Sequence, residues 1–158
     1  MRRTIETIYG AIVAQARLPV FYREFEVPNS VDGRFDMVVL HIWLVLRRWR
    51  DRAEAEISQA LIDRFCSDMD HNLRELGVGD LTVPKRMVKF GEALYGRARA
   101  YDEALELNGE ALAQALNRNI YNERNAAAST RLARYVRDVV ETDDGVNDDV
   151  VRFPKPVA

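Results

Sequence analysis

The residues of this chain best suited to chemistry fall between Arg47 and Arg86. Asp68 and His71 stand one helical turn apart in Asp68-Met69-Asp70-His71, the carboxylate-x-x-His spacing with which di-metal helical bundles gather oxygen and nitrogen ligands. Such a site needs two of these elements, and the chain's other histidine is His41. The segment therefore predicts a solvated or hydrogen-bonded histidine and no metal centre. Cys66 and His71, five residues apart on one helix, point to different faces and make a poor nucleophile and base. Gly77-Val78-Gly79-Asp80, followed by Lys85 and Arg86, offers free backbone amides and cations to an anion. No strand precedes it, however, and a tight helix-to-helix turn explains the glycines well. The arginines from Arg47 to Arg52 close an apolar helix and can meet acidic lipid headgroups, each near-surface cation contributing about 1 kcal/mol. A solvated helix end accounts for them as well.

The elements that must position these residues are helices. With 158 residues and 47% hydrophobic content, the chain is one domain's worth, long enough to bury about two thirds of the surface its unfolded form exposes. A formal charge of -2 and a pI near 5.8 lack the basic excess of a nucleic-acid binder. The single cysteine, Cys66, is in step with Ile62, Met69 and Leu73, which predicts a buried thiol in a reducing compartment. Met1-Arg2-Arg3 and the short apolar run after it mimic a secretion signal, but Glu6 and the brevity of the run argue for an amphipathic helix and a cytosolic protein.

Periodicity and punctuation predict an all-α, compact single-domain bundle of about six helices. The first spans about Thr4 to Gln15, with Ile5, Ile8, Ile12 and Ala16 on one side, and ends before Pro19. The second starts near Val31 to Arg34 and carries the run Met37 to Leu46, interrupted only by His41. That run is about half the roughly 20 residues needed to cross a bilayer. Apolar on every side, it is the central helix of the bundle or has a face covered by a partner or a membrane surface.

Asp51 and Glu54 give a capping-box-like start to the third, whose stripe is Ile57, Leu61, Phe65, Met69, Leu73 and Leu76, with Gly77 as a left-handed cap. Thr82 caps the fourth, which presents Met87, Leu94, Ala98, Tyr101 and Leu105 before Asn108-Gly109. Leu112, Leu116 and Ile120 mark the fifth, and Ala128, Leu132, Tyr135 and Val139 the sixth, from about Asn125 to Glu141. The domain is expected to occupy 1–142. Residues 143–158, acidic, aperiodic and holding Pro154 and Pro156, are expected as a flexible tail.

Several segments, taken in order, resemble the ubiquinol–cytochrome c chaperone family. They begin with Tyr9-Gly10-Ala11-Ile12-Val13, Phe21-Tyr22, Val27-Pro28 and Asp32-Gly33-Arg34-Phe35-Asp36-Met37 with Leu40-His41. Leu46-Arg47-Arg48, Ser58-Gln59-Ala60-Leu61, Asp68-Met69-Asp70, Arg74 to Asp80, Lys85-Arg86-Met87 and Tyr95-Gly96-Arg97 continue the series. The resemblance covers roughly Ile8 to Tyr121 and rests on order and spacing; the last helix and the tail match weakly.

The resemblance implies a non-enzymatic assembly factor of the cytochrome bc1 complex that binds newly made, unassembled cytochrome b and needs no cofactor of its own. It also implies, for mitochondrial relatives, a small helper protein and a place at the ribosome exit. For a short chain it implies a bacterial cytosolic member working peripherally at the inner face of the inner membrane. No Cys-x-x-Cys-His haem-attachment motif is present, as expected of a factor that recognises apoprotein. A holder of a membrane protein needs an apolar groove rimmed by both signs of charge. Arg34, Phe35, Asp36, Arg47, Asp70, Arg74, Asp80 and Lys85 are the residues expected to form it. The same charges can instead pair with one another and fix the helix-helix turn. A peripheral membrane adaptor, binding acidic lipid through the apolar helix and its basic end, is the alternative.

Overall fold

The computed structural model describes residues 2–50, 55–142 and 152–158, and among them the secondary structure is entirely helical. The helices are α1 (Arg2–Ala16), α2 (Pro19–Arg23), α3 (Val31–Arg50), α4 (Ala55–Glu75), α5 (Val83–Leu107), α6 (Gly109–Ile120) and α7 (Ala126–Glu141). Six long helices correspond to those expected from periodicity. The addition is α2, five residues whose Pro19 opens the helix and whose Phe21 is buried; a single turn is too short for a 3.6-residue pattern to register. The capping box expected at Asp51 and Glu54 lies outside the described residues.

Helix α3 is the axis of the bundle and packs against α1, α4, α5, α6 and α7. From Met37 to Val45 every residue is 7% exposed or less, which explains why the sequence shows no polar face there. The helix that the membrane-adaptor alternative required to be exposed is thus enclosed by protein. Its start is fixed by Ser30, whose Oγ accepts from the Gly33 amide at 3.1 Å, satisfying one of the free N–H groups of the first turn. Gly33 itself is compulsory, because a Cβ there would stand 1.8 Å from the Pro28 carbonyl oxygen.

Among the other helices, α6 and α7 are capped by Asn108 and Asn125, whose side chains accept from Ala111 and Ala128 amides. Helix α4 ends in a Schellman turn: Val78 N–H reaches the Leu73 carbonyl and Gly77 N–H the Arg74 carbonyl, with Gly77 at φ 84°. Leu76 falls beyond that helix and is exposed, not part of the buried stripe. Thr82 makes no side-chain cap; Pro84 in the first turn of α5 takes over the start instead. Cys66 is half-buried where burial was expected. Of the expected tail, 143–151 lie outside the described residues. The last seven residues carry no helix or strand, and Phe153 lies edge-on to His41 at 5.2 Å.

Candidate functional site

A network of ion pairs and rings holds the N-terminal half of α3 against the α4–α5 hairpin. Phe35 stacks on Phe90 at 5.1 Å and Phe65 at 6.0 Å, and the Arg97 guanidinium lies 5.5 Å from its ring centre. Arg97 also donates from Nη1 to Asp36. Burial pushes the Asp36 carboxyl up to about 6, with Arg97 pulling the other way and Asp32 adding repulsion. Phe35 and Asp36 are therefore structural contacts between α3 and α5. Farther along, Asp102 accepts from Trp43 Nε1 at 2.9 Å and from Arg50 Nη1 at 2.9 Å, tying the same two helices at their other end.

The remaining expected residues are not all neighbours. Asp70, Arg74 and Asp80 are brought together: Arg74 donates to Asp70 at 2.7 Å and to Asp80 across the turn. This is the mutual pairing that fixes a helix-helix turn. Lys85 is exposed in the first turn of α5. Arg34 is exposed and turns to Asn29, while half-buried Arg47 lies about 20 Å of helix axis away from it, thirteen residues at 1.5 Å each. Two other arginines of the basic end are bound internally, Arg48 to the Thr142 carbonyl and Arg50 to Asp102.

What the eight residues do not form as one groove, the hairpin tip offers as an outward surface. Leu76, Leu81, Val88 and Tyr95 are 76%, 89%, 60% and 58% exposed. Leu76 and Leu81 flank the turn that Arg74 and Asp80 close, Val88 stands three residues after Lys85 and Tyr95 two turns farther along α5, so that apolar side chains adjoin charges of both signs. Periodicity assigns Leu76 to the core and leaves the other three outside every stripe. Their signal is a spacing of seven from Leu81 to Val88 to Tyr95, out of phase with the buried Leu94 and Tyr101.

The candidates for catalytic chemistry resolve into structural bonds. Tyr9 donates to Asp68, and His71 meets Glu75 at 3.0 Å. Burial, then the bond to Asp68, pushes the Tyr9 phenol up. No group of three or more His, Cys, Asp or Glu side chains placed to hold a metal occurs among the described residues. His41 is fully buried, its Nδ1 2.8 Å from the Met37 carbonyl and its Nε2 2.8 Å from Tyr135 Oη. The carbonyl can only accept, so Nδ1 carries the proton and Nε2 accepts from Tyr135, whose oxygen in turn accepts from Gln15 Nε2 at 3.0 Å. Desolvation pushes His41 down to about 4. No described helix is long and apolar enough to cross a membrane.

A central apolar helix wrapped by five others, two of them forming a long hairpin, defines an all-α bundle. Comparison with known proteins makes the assignment specific. The chain belongs to the ubiquinol-cytochrome C chaperone family, whose model matches residues 23–158. That match starts later than the resemblance read from the segments and continues through α7 and the tail, where Tyr135 and Phe153 join the core around His41.

The chain is similar to the ubiquinol-cytochrome-c reductase complex assembly factor 1 of Xenopus laevis, 24% identical over 138 residues, covering 85% of this chain and 69% of that protein. It is 30% identical over 122 residues to the mitochondrial protein CBP3 of Saccharomyces cerevisiae, covering 74% of this chain and 36% of the yeast protein. The chain thus spans from about a third to about two thirds of these curated relatives. The crystal structure of the Cbp3 homolog from Brucella abortus superposes with a TM-score of 0.75 at 39% identity, covering 89% of this chain and 82% of that one.

Proposed function

We propose that this chain is an assembly chaperone of the ubiquinol–cytochrome c reductase (bc1) complex, that it holds newly made cytochrome b before the partner subunits join, and that it does so without catalysing a reaction. The observation that carries the proposal is family membership over 23–158, together with relatives named as assembly factors for that complex. The hairpin tip is the surface that fits the task. A client with many membrane-spanning helices presents apolar side chains and short charged loops, and Leu76, Leu81, Val88 and Tyr95 with Asp70, Arg74, Asp80 and Lys85 offer both kinds of contact. Arg34, and Arg47 at the far end of α3, extend that candidate set to other faces of the bundle.

In this proposal the chain works in the cytoplasm, peripherally at the inner face of the inner membrane, with a small helper protein and the ribosome exit as further candidate partners. Its test is genetic. Deleting the gene should lower assembled bc1 complex on native gels with cytochrome b message unchanged, and the plasmid-borne gene should restore it. Normal complex in the deletion strain overturns the proposal.

A further inference from the structure

An open cleft of about 660 Å³ lies between the end of α1, α2 and the start of α3. Its lining is unusual in charge: Arg17, Arg23 and Arg34 surround Pro19, Tyr22 and Asn29, with no carboxylate among them. Of the acids nearest in sequence, Glu26 pairs with Arg131 at 2.8 Å, while Glu24 and Asp32 are exposed and lie outside the lining. The Tyr22 phenol reports the same field: burial pushes it up, and the charges pulling it down are those of Arg34 and Arg17.

Closing the C-terminal end of α1 does not explain three arginines. Its last carbonyls are already bonded, Val13 by the Arg17 amide at 3.1 Å, Gln15 by the Leu18 amide at 3.2 Å and Ala16 by Tyr22 Oη at 2.9 Å. Arg34 is held in a fixed orientation, Nε and Nη2 both donating to Asn29 Oδ1 at 3.3 and 3.1 Å. That leaves three of its five N–H donors for another acceptor. Planar guanidinium forks match the oxygens of a phosphate group two at a time and carry the charge to balance it.

We propose that the Arg17–Arg23–Arg34 cleft binds a phosphate group, either that of an acidic phospholipid headgroup or a free phosphate. The cleft shares Arg34 with the candidate client-binding residues but is tested without a client, so its failure is distinguishable from failure of the chaperone reading. The purified chain is titrated with inorganic phosphate by calorimetry, and in parallel floated with vesicles of phosphatidylglycerol mixed in phosphatidylcholine, against phosphatidylcholine alone. The single changes Arg17→Gln, Arg23→Gln and Arg34→Gln should each weaken binding about tenfold, the loss of one charge-assisted contact. A control carrying Lys89→Gln, an exposed cation of α5, should bind as the parent does, and thermal melts should show all variants folded.

Flotation that depends on phosphatidylglycerol and on the three arginines assigns the site to a headgroup. Phosphate binding with the same dependence and no flotation assigns it to a free anion. Binding of neither probe, or binding that the arginine changes leave intact, overturns the proposal.

Discussion

Acidifying the solution from pH 7 to pH 5 sets two buried groups of α3 against each other. His41 is neutral in the native bundle, lowered from 6.5 to about 4. The unfolded chain therefore takes up this proton first, and the stability that His41 lends above 6.5 is lost as the pH falls toward 4. Each tenfold difference in proton affinity between the two states is worth about 1.4 kcal/mol, so the loss amounts to about 2 kcal/mol by pH 5 and about 3 kcal/mol in full. Asp36 runs the other way. Its native value is raised from 3.8 to about 6, so the native state takes up the proton first and gains stability as the pH falls through 6, about 1 kcal/mol by pH 5.

The two contributions partly cancel in the parent protein, leaving a net loss of about 1 kcal/mol by pH 5, which makes single variants the informative probes. Asp36→Asn should lose about 1 kcal/mol more than the parent between pH 7 and pH 5, and His41→Gln about 2 kcal/mol less. Urea unfolding followed by circular dichroism at pH 7, 6 and 5 gives each variant's own pH dependence, independent of its absolute stability. A His41→Gln variant that follows the parent's pH dependence would refute the neutral, buried imidazole and the tautomer drawn from its bonds to Met37 and Tyr135.

Other expectations are simpler to measure. Gly33→Ala forces a Cβ to within 1.8 Å of the Pro28 carbonyl, and since backbone must move, a loss of about 3 kcal/mol is expected in urea melts. Val39 is fully buried, so Val39→Asp should cost more than about 4 kcal/mol and abolish the cooperative thermal transition. Arg34→Ala, at an exposed position, should shift the melting temperature by no more than a degree or two. Asp36→Ala, which strands Arg97 at the α3–α5 contact, should lower it by several degrees, about 2 kcal/mol.

The contrast between Arg34 and Asp36 shows how far the sequence could be read. Periodicity places both on one approach to one helix, since two residues along a helix cannot be told apart by what lies opposite them. Their fates differ because Arg97, sixty-one residues from Asp36, is delivered by α5, a distance no local pattern encodes. The same holds for His41, whose partner Tyr135 is ninety-four residues away.

The six long helices were legible because each carries a 3.6-residue stripe or, in α3, an almost unbroken apolar run, with marked ends as at Gly77 and Asn108. Enclosure of α3 was legible as one of two alternatives, and contact with α1, α4, α5, α6 and α7 decides between them. The hairpin surface was not, since an exposed leucine such as Leu81 looks in sequence like any other.

The proposed function has this chain hold cytochrome b before the bc1 complex is complete. The most direct measurement is affinity purification of the tagged protein in gentle detergent from cells making cytochrome b, with mass spectrometry of what accompanies it. Cytochrome b should be enriched without the other subunits of the mature complex, and the enrichment should be lost when Leu81→Ser and Val88→Ser are combined in a fully folded variant. Cytochrome b no more abundant than in an untagged control would contradict it.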